Sequence, residues 1–328
     1  MHAKVRFFLT VVFWFALDVI LAAVIVVSAY IFSYKVPHKL PSMNIPTTDV
    51  SAVDFGEAFS SCFSDTVIFT ENSYRSPNIS IEISQVSLDS GRPDSRGETK
   101  IVYSVADIYV RDISCFRTAF AEDTYGIGYS QRLEDIAADT CAVLAVNGDS
   151  YSSNHWRNNG TLIRNGIVYR ASDATEDTCV LFKDGSIALY PPGELDANEM
   201  VEKGAWQSWV FGPSLLDSEG KAISHFEASQ YVMSTHPRTA LGYYEPGHYC
   251  LVVVDGRQDS FSRGMYLDEL SQLFEDLGCT IAYNLDGGHC SCMTLFSQIV
   301  THPYYVMDDI SDGLVICEPQ SDRTIADN

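Results

Sequence analysis

Residues 249–288 read YCLVVVDGRQDSFSRGMYLDELSQLFEDLGCTIAYNLDGG, and this stretch decides the fold class. It opens on an apolar run, Tyr249 to Val254, and closes on a second, TIAYNL at 280–285. Between them Leu267, Leu270, Phe274 and Leu277 recur at helical spacing over 267–277, and Gly278 is the residue type that ends a helix in the left-handed conformation. Strand, helix and strand in one sheet imply a right-handed crossover and parallel strands. Both strands end alike, in Val254-Asp255-Gly256-Arg257 and Leu285-Asp286-Gly287-Gly288. Parallel strands deliver both carboxylates to one sheet edge, where ligands tend to bind. A third apolar run, CAVLAV at 141–146, ends in Asn147-Gly148-Asp149. A single Asp-Gly is most often only a turn. Three acids beside glycines at comparable strand ends make a site as good a reading as a turn, since glycine permits close backbone approach.

The rest of the chain supplies more strands than helices. Ile79, Ile81 and Ile83 alternate with polar residues, and IVYSVADIYV at 101–110 follows a polar connection, which together predict a long-looped hairpin. LIRNGIVYR, CVLFKDGSIALY and LGYYEPGHYCLVVV predict further strands, two of them hairpins with Asn-Gly or Asp-Gly turns. A second helix is expected over 130–139, with Ser130 as its N-cap. The expected fold class is α+β, a mixed β-sheet with a βαβ crossover and peripheral helices, preceded by one transmembrane helix.

That helix is read from 7–34, which holds one charge, Asp18, in 28 residues. About 20 apolar residues span a bilayer. Lys4 and Arg6 precede the run and Lys35 and Lys39 follow it, so the short N-terminal tail, more than the charge bias, favours a single pass with the domain outside the cytoplasm. A cleaved signal peptide ending near Val27-Ser28-Ala29 is the competing reading, and the run is longer than most signal cores. Asp18 would either meet a polar partner in the membrane or sit there protonated. The boundaries expected are a tail and anchor over 1–35, a proline-containing stalk over 36–77, one domain over 78–317 and a tail over 318–328.

The 328 residues carry a net charge of −22, which argues against nucleic acid as a partner, because phosphate backbones need clustered Lys and Arg. An acidic balance is otherwise the ordinary mark of a solvated surface. The nine cysteines are an odd number and include no CxxC pair, so a spaced zinc signature is missing and one thiol at least lacks an intrachain mate. Cys141, Cys250 and Cys279 lie in or beside apolar strands, where cysteine is usually a small core residue.

Paired carboxylates can protonate a glycosidic oxygen and assist water or act as a nucleophile. Arg238 in THPRTALG and Arg257 in VDGRQ add guanidinium groups suited to phosphate, although an Arg alone is as readily structural. A phosphate-bearing sugar fits this mixture. A cysteine nucleophile at Cys290 would need a base at suitable spacing, and its neighbour His289 points the other way on an extended segment. A zinc site from His289, Cys290 and Cys292 lacks a fourth ligand by pattern.

The ordered segments AVNGD (145–149), LIRNG (162–166), FGPSLL (211–216), HPRTALG (236–242), VVVDGRQ (252–258), 266–288 and ISDGLVI (310–316) resemble the phosphodiester glycosidase family over roughly residues 78–317. The resemblance implies an α+β fold with a mixed sheet and hydrolysis of a sugar-1-phosphodiester bond. For a membrane-anchored member it implies action on envelope or exopolysaccharide material. It implies Asp149, Asp255 and Asp286 as catalytic candidates. Substrate-binding candidates are Asn147, Arg164, Arg238, Arg257, Asn284, Gly287 and Gly288, with His289 and Ser291 on the adjoining wall. Glu269 falls in a matching segment and would equally serve its helix dipole. No cofactor is implied, though clustered Asp also suit a divalent cation through oxygen ligands. The chain departs from the family where a small residue and hydroxyls are common and it has His289, Cys290, Ser291 and Cys292, because thiols are weaker donors to phosphate. Tyr266 also stands where a Thr cap is frequent. The alternative function is an anchored module that holds a glycan without cleaving it.

Overall fold

An apolar strand with no polar face needs cover on both sides, and the run at 249–254 has it. In this computed structural model, which describes residues 2–34, 36–49, 53–153, 158–305 and 307–319, Tyr249, Leu251 and Val253 point into one core while Cys250, Val252 and Val254 point into another. This is the two-residue period of a strand. The first core also takes Ile79, Ile108, Phe116, Trp209, Leu285, Met293 and Leu314. The second takes Leu267, Leu270 and Phe274 from the helix Leu267–Asp276.

The first core lies between two sheets. One has seven strands, in the order Ile281–Asn284, Arg238–Glu245, His248–Asp255, Lys100–Val110, Ile79–Asp89, Ser73–Arg75 and Ile68–Phe69. The other has five, in the order Gln298–Ile299, Met293–Leu295, Leu144–Asn147, Asp312–Ile316 and Phe116–Phe120. The helix Leu267–Asp276 covers the outer face of the first sheet, and Leu133–Asp139 packs with the second through Leu133, Ile136 and Ala137. The α+β class expected from the sequence is the observed one.

The crossover differs from expectation in one respect. The strands His248–Asp255 and Ile281–Asn284 run the same way, but Arg238–Glu245 lies between them, antiparallel to both. Every pairing among the described strands is antiparallel. The hairpin made by Arg238–Glu245 forms first in sequence, so the crossover strand adds to its far edge. The third strand, Leu144–Asn147, belongs to the other sheet. The hairpin at 162–170 turns through Asn165 and Gly166 at φ 50° and 76°, the double left-handed turn that Asn-Gly favours.

The helix over 130–139 is shorter than expected. It runs Leu133–Asp139 with Arg132 at the N-cap and no side-chain cap bond, so Ser130 does not cap it. At the start of Leu267–Asp276 the Glu269 carboxylate accepts the Tyr266 N–H at 3.0 Å and pairs with Arg263 at 2.6 Å, which compensates for the missing hydroxyl cap.

The helix His2–Tyr34 contains a stretch, Arg6–Ile31, long and apolar enough to cross a membrane, and none of it is buried against the domain. The segment after it, expected to be a stalk, lies along the domain. His38–Lys39 pairs with Gly126–Ile127, Ile45–Pro46 pairs with Ile167–Arg170, and Thr47 donates to the Ala205 carbonyl at 2.9 Å. Its few apolar and β-branched residues suffice to add short strands to exposed edges.

Candidate functional site

The strand Ile281–Asn284 ends two residues before Asp286, where its sheet meets the end of Leu144–Asn147 from the other sheet. The Asn147 amide bridges the two. It donates to the Asp286 carbonyl at 2.7 Å, while its oxygen accepts from Thr239 at 2.7 Å and from the Cys292 N–H at 3.3 Å. The Asp286 N–H in turn reaches the Gly148 carbonyl at 3.3 Å.

Above this junction opens a cleft of about 630 Å³ lined by Ser130, Ser150, Ser153, Phe211, Tyr231, Arg257, Asp286, Gly287, Gly288, His289, Cys290, Asp308 and Asp309. Asp286 is half-buried, and its carboxylate accepts from the Ser150 hydroxyl and from the Gly287 N–H at 2.8 Å. Burial raises its pKa most, the Asp149 charge adds to that, and the bonds from Ser150, Gly287 and Cys290 oppose it, with a net rise.

The opposite wall is positively charged. Arg257 has a left-handed backbone, φ 60°, and its Nη2 donates to Nδ1 of His236 at 3.0 Å and to the Tyr231 hydroxyl at 3.2 Å. A Cβ on Gly288 would come within 3.2 Å of the same Nη2, so a larger residue there would crowd the guanidinium. Arg238 lies behind, buried, and donates to the carbonyls of Met265 at 3.2 Å and of Val232 and Ser234 at 2.6 Å each. Burial and the Arg257 charge pull its pKa down to about 10. Burial, then the Arg238 charge, pull His236 down to about 4, with a smaller contribution from Arg257. His236 is therefore neutral at neutral pH, and its Nε2–H donates to the Tyr231 carbonyl at 2.7 Å while Nδ1 accepts from Arg257. Among the described residues neither Arg238 nor Arg257 has a carboxylate partner. In a chain of net charge −22, a guanidinium without a carboxylate partner on the cleft wall, with a second one buried behind it, has the chemistry that suits an anion.

The sequence-derived candidates divide between cleft and foundation. Asp286, Arg257, Gly287, Gly288 and His289 line the cleft. Asn147, Asp149, Arg164, Arg238, Asp255, Asn284 and Ser291 do not line it, and each is at least 96% buried. Asp149 and Asp312 grip Arg164 from two sides, at 2.8 and 2.7 Å. Asp149 also accepts the Val210 N–H at 3.0 Å. Burial and Asp149 raise Asp312 to about 6 against the pull of Arg164. This ion cluster ties three strand ends together under the cleft floor. The Asp255 carboxylate accepts the His302 N–H at 2.9 Å and is raised to about 6 by burial. Asn284 donates to the Gly212 carbonyl at 2.7 Å. Asp149, Asp255 and Asp286 were expected to share one cleft, but Asp286 alone of the three lines it: Asp149 is engaged by Arg164 and the Val210 N–H, and Asp255 is buried with one oxygen on the His302 N–H and the other without a hydrogen-bond partner.

Sequence reasoning missed Ser150, Tyr231, Asp308, Asp309 and Asp312. Ser150 adjoins a quoted motif and Asp312 lies within one, so both had a signal; Tyr231 is far in sequence from the strand ends and had none. Among the described residues no three His, Cys, Asp or Glu side chains converge as metal ligands. His289 instead stacks on Tyr304 with centroids 4.7 Å apart, Cys290 bonds to Asp286, and Cys292 is buried with Leu133 and Ala145.

A family model described as phosphodiester glycosidase matches residues 140–317, more than half of the chain. The chain belongs to the phosphodiester glycosidase family. The match spans Asp149, Arg164, Arg238, Asp255, Arg257 and Asp286. An uncharacterised protein of Bacillus subtilis strain 168, the SPbeta prophage-derived YomE, is 31% identical over 181 residues, 53% of this chain and 26% of that one. The chain thus spans about a quarter of that relative's length. Among solved structures, the catalytic domain of zebrafish N-acetylglucosamine-1-phosphodiester alpha-N-acetylglucosaminidase, auto-inhibited by its pro-peptide, superposes with a TM-score of 0.58 at 20% identity, over 85% of this chain and 97% of that one. That likeness shows the fold. With the family match it supports a hydrolase of this kind.

Proposed function

We propose that this phosphodiester glycosidase hydrolyses a sugar-1-phosphodiester, with the phosphate drawn to Arg257 and Asp286 acting as the general acid. The observation that carries the proposal is the pairing on one cleft of a guanidinium without a carboxylate partner, among the described residues, and a half-buried carboxyl of raised pKa. The acid form of Asp286 persists to higher pH than that of an exposed Asp, as a proton donor requires. Water attacks the anomeric carbon as the bond from that carbon to the phosphate oxygen breaks; Asp286 gives its proton to the departing phosphate, whose negative charge pairs with the Arg257 guanidinium, and the proton released by the attacking water passes to solvent, from which Asp286 is reprotonated. Arg238 reinforces the field from behind, while Asp149 and Arg164 hold the floor and Asp255 holds the loop at His302. The apolar N-terminal helix supports a membrane-anchored enzyme with its domain outside the cytoplasm, acting on envelope or exopolysaccharide material.

The test is incubation of the detergent-solubilised chain with UDP-N-acetylglucosamine and with synthetic sugar-1-phosphodiesters. Release of free sugar, lost in Asp286→Asn, is the expected result. Binding of these compounds without any release would establish the anchored glycan-binding module instead.

A further inference from the structure

Two cysteines on the outer face of the seven-stranded sheet lie outside the cleft and its chemistry. Cys250 sits in the strand His248–Asp255, and Cys279 lies between the crossover helix and the strand Ile281–Asn284. The strand Arg238–Glu245 runs between them, yet their sulfurs are 3.7 Å apart, reaching toward each other across Gly242. That glycine is an independent sign of a built site. A Cβ there would stand 2.6 Å from one sulfur and 2.8 Å from the other, so this position holds open the space that the two sulfurs fill. Both cysteines are buried, at 0% and 3% exposure.

We infer that Cys250 and Cys279 are joined by a disulfide in the mature protein. The sulfurs need to approach by roughly 1.7 Å to reach the bonded distance of about 2.05 Å. The reaction takes both thiol protons into solvent and passes two electrons to the disulfide of an oxidant, either oxidised glutathione or a thiol–disulfide oxidoreductase, which leaves as two thiols. Burial shields both native sulfurs from an oxidant, so the bond forms during folding, before the sheet closes over them. It links residues 29 apart and encloses the whole crossover helix. Cys250 stands five residues before Asp255, about 17 Å along a strand at ~3.4 Å per residue, so the bond secures the sheet without touching the cleft. The inference concerns folding and stands apart from the hydrolase proposal.

The full chain is unfolded with reductant, refolded in detergent with a reduced and oxidised glutathione couple, and alkylated under denaturing conditions. The expected outcome is a cross-linked peptide containing Cys250 and Cys279 that disappears on reduction. Reductant then lowers Tm by roughly 5–15 °C in the parent and leaves Cys279→Ala unchanged. Sugar release, measured in parallel, is the same with and without the bond. Alkylation of all nine cysteines after refolding, or a cross-link between any other two, overturns the inference. Because the couple is supplied in vitro, the outcome does not depend on which side of a membrane the domain occupies.

Discussion

Asp286 is held between opposed influences, and its raised pKa is the outcome of burial winning over three hydrogen bonds. Replacing it by Asn keeps the shape and the bond from Gly287 but removes the proton. Asp286→Asn should lower sugar release by about 10²–10⁴-fold with Tm within a few degrees of the parent; a loss below threefold would dismiss it as the acid. Arg257→Ala should cost about 10²-fold on a phosphodiester and less than about tenfold on an activated aryl glycoside, whose leaving group carries no phosphate. Equal losses on both substrates would mean that Arg257 only supports the loop. Asp255 gives a pH test. Its folded pKa, about 6, lies above the ordinary 3.8, so the folded state binds the extra proton between these values. Stability therefore falls as pH rises from about 4 to 6, by on the order of 3 kcal/mol from this one group. Asp255→Asn should flatten that slope, read as unfolding midpoints in urea at pH 4, 5, 6 and 7.

That Asp286, Arg257 and Gly287 to His289 would gather at one cleft was readable from the sequence; which atoms remain available to a ligand was not. Arg164 and Asp149 look like pocket residues until Asp312, 148 positions beyond Arg164, closes on the same guanidinium. Arg238 and Arg257 look equivalent in sequence, but one is tied to three carbonyls and the other faces the cleft. Such assignments depend on which loops meet, and no local pattern carries that information.

At the scale of elements the strand–helix–strand unit was legible because its periodicities are strong and each half is bounded by glycine. The intervening strand was not, since a hairpin partner can accept a further neighbour on either edge. The loop that carries Arg257 closes through glycine against His236 and Pro237, just before the strand that begins at Arg238. Gly264 has φ 92°, and a Cβ there would collide with the His236 backbone, while a Cβ on Gly256 would lie 2.8 Å from Gly264 itself. Gly264→Ala should therefore destabilise the domain by about 2–4 kcal/mol, through a strained backbone and a displaced loop. Equilibrium unfolding in urea measures this, and a change under 0.5 kcal/mol would show that the loops yield freely.

The whole molecule joins a bilayer-length helix to a domain, and the join is short. The chain should sediment with membranes after high-salt and alkaline washes and enter solution only with detergent. Recovery of a soluble product beginning near Tyr30 would point to a cleaved leader instead. Residues 36–77 were expected to form a stalk, but His38 already belongs to a strand paired with Ile127. Three residues separate Tyr34, the end of the helix, from His38, and extended chain covers at most about 3.5 Å per residue. With the helix in a bilayer, the domain is moored at the surface and its working radius is little more than its own dimensions. Its encounters then become a search in two dimensions, favouring ligands that share the membrane plane or thread down to it, and two copies can reach the same molecule only by diffusing laterally toward it.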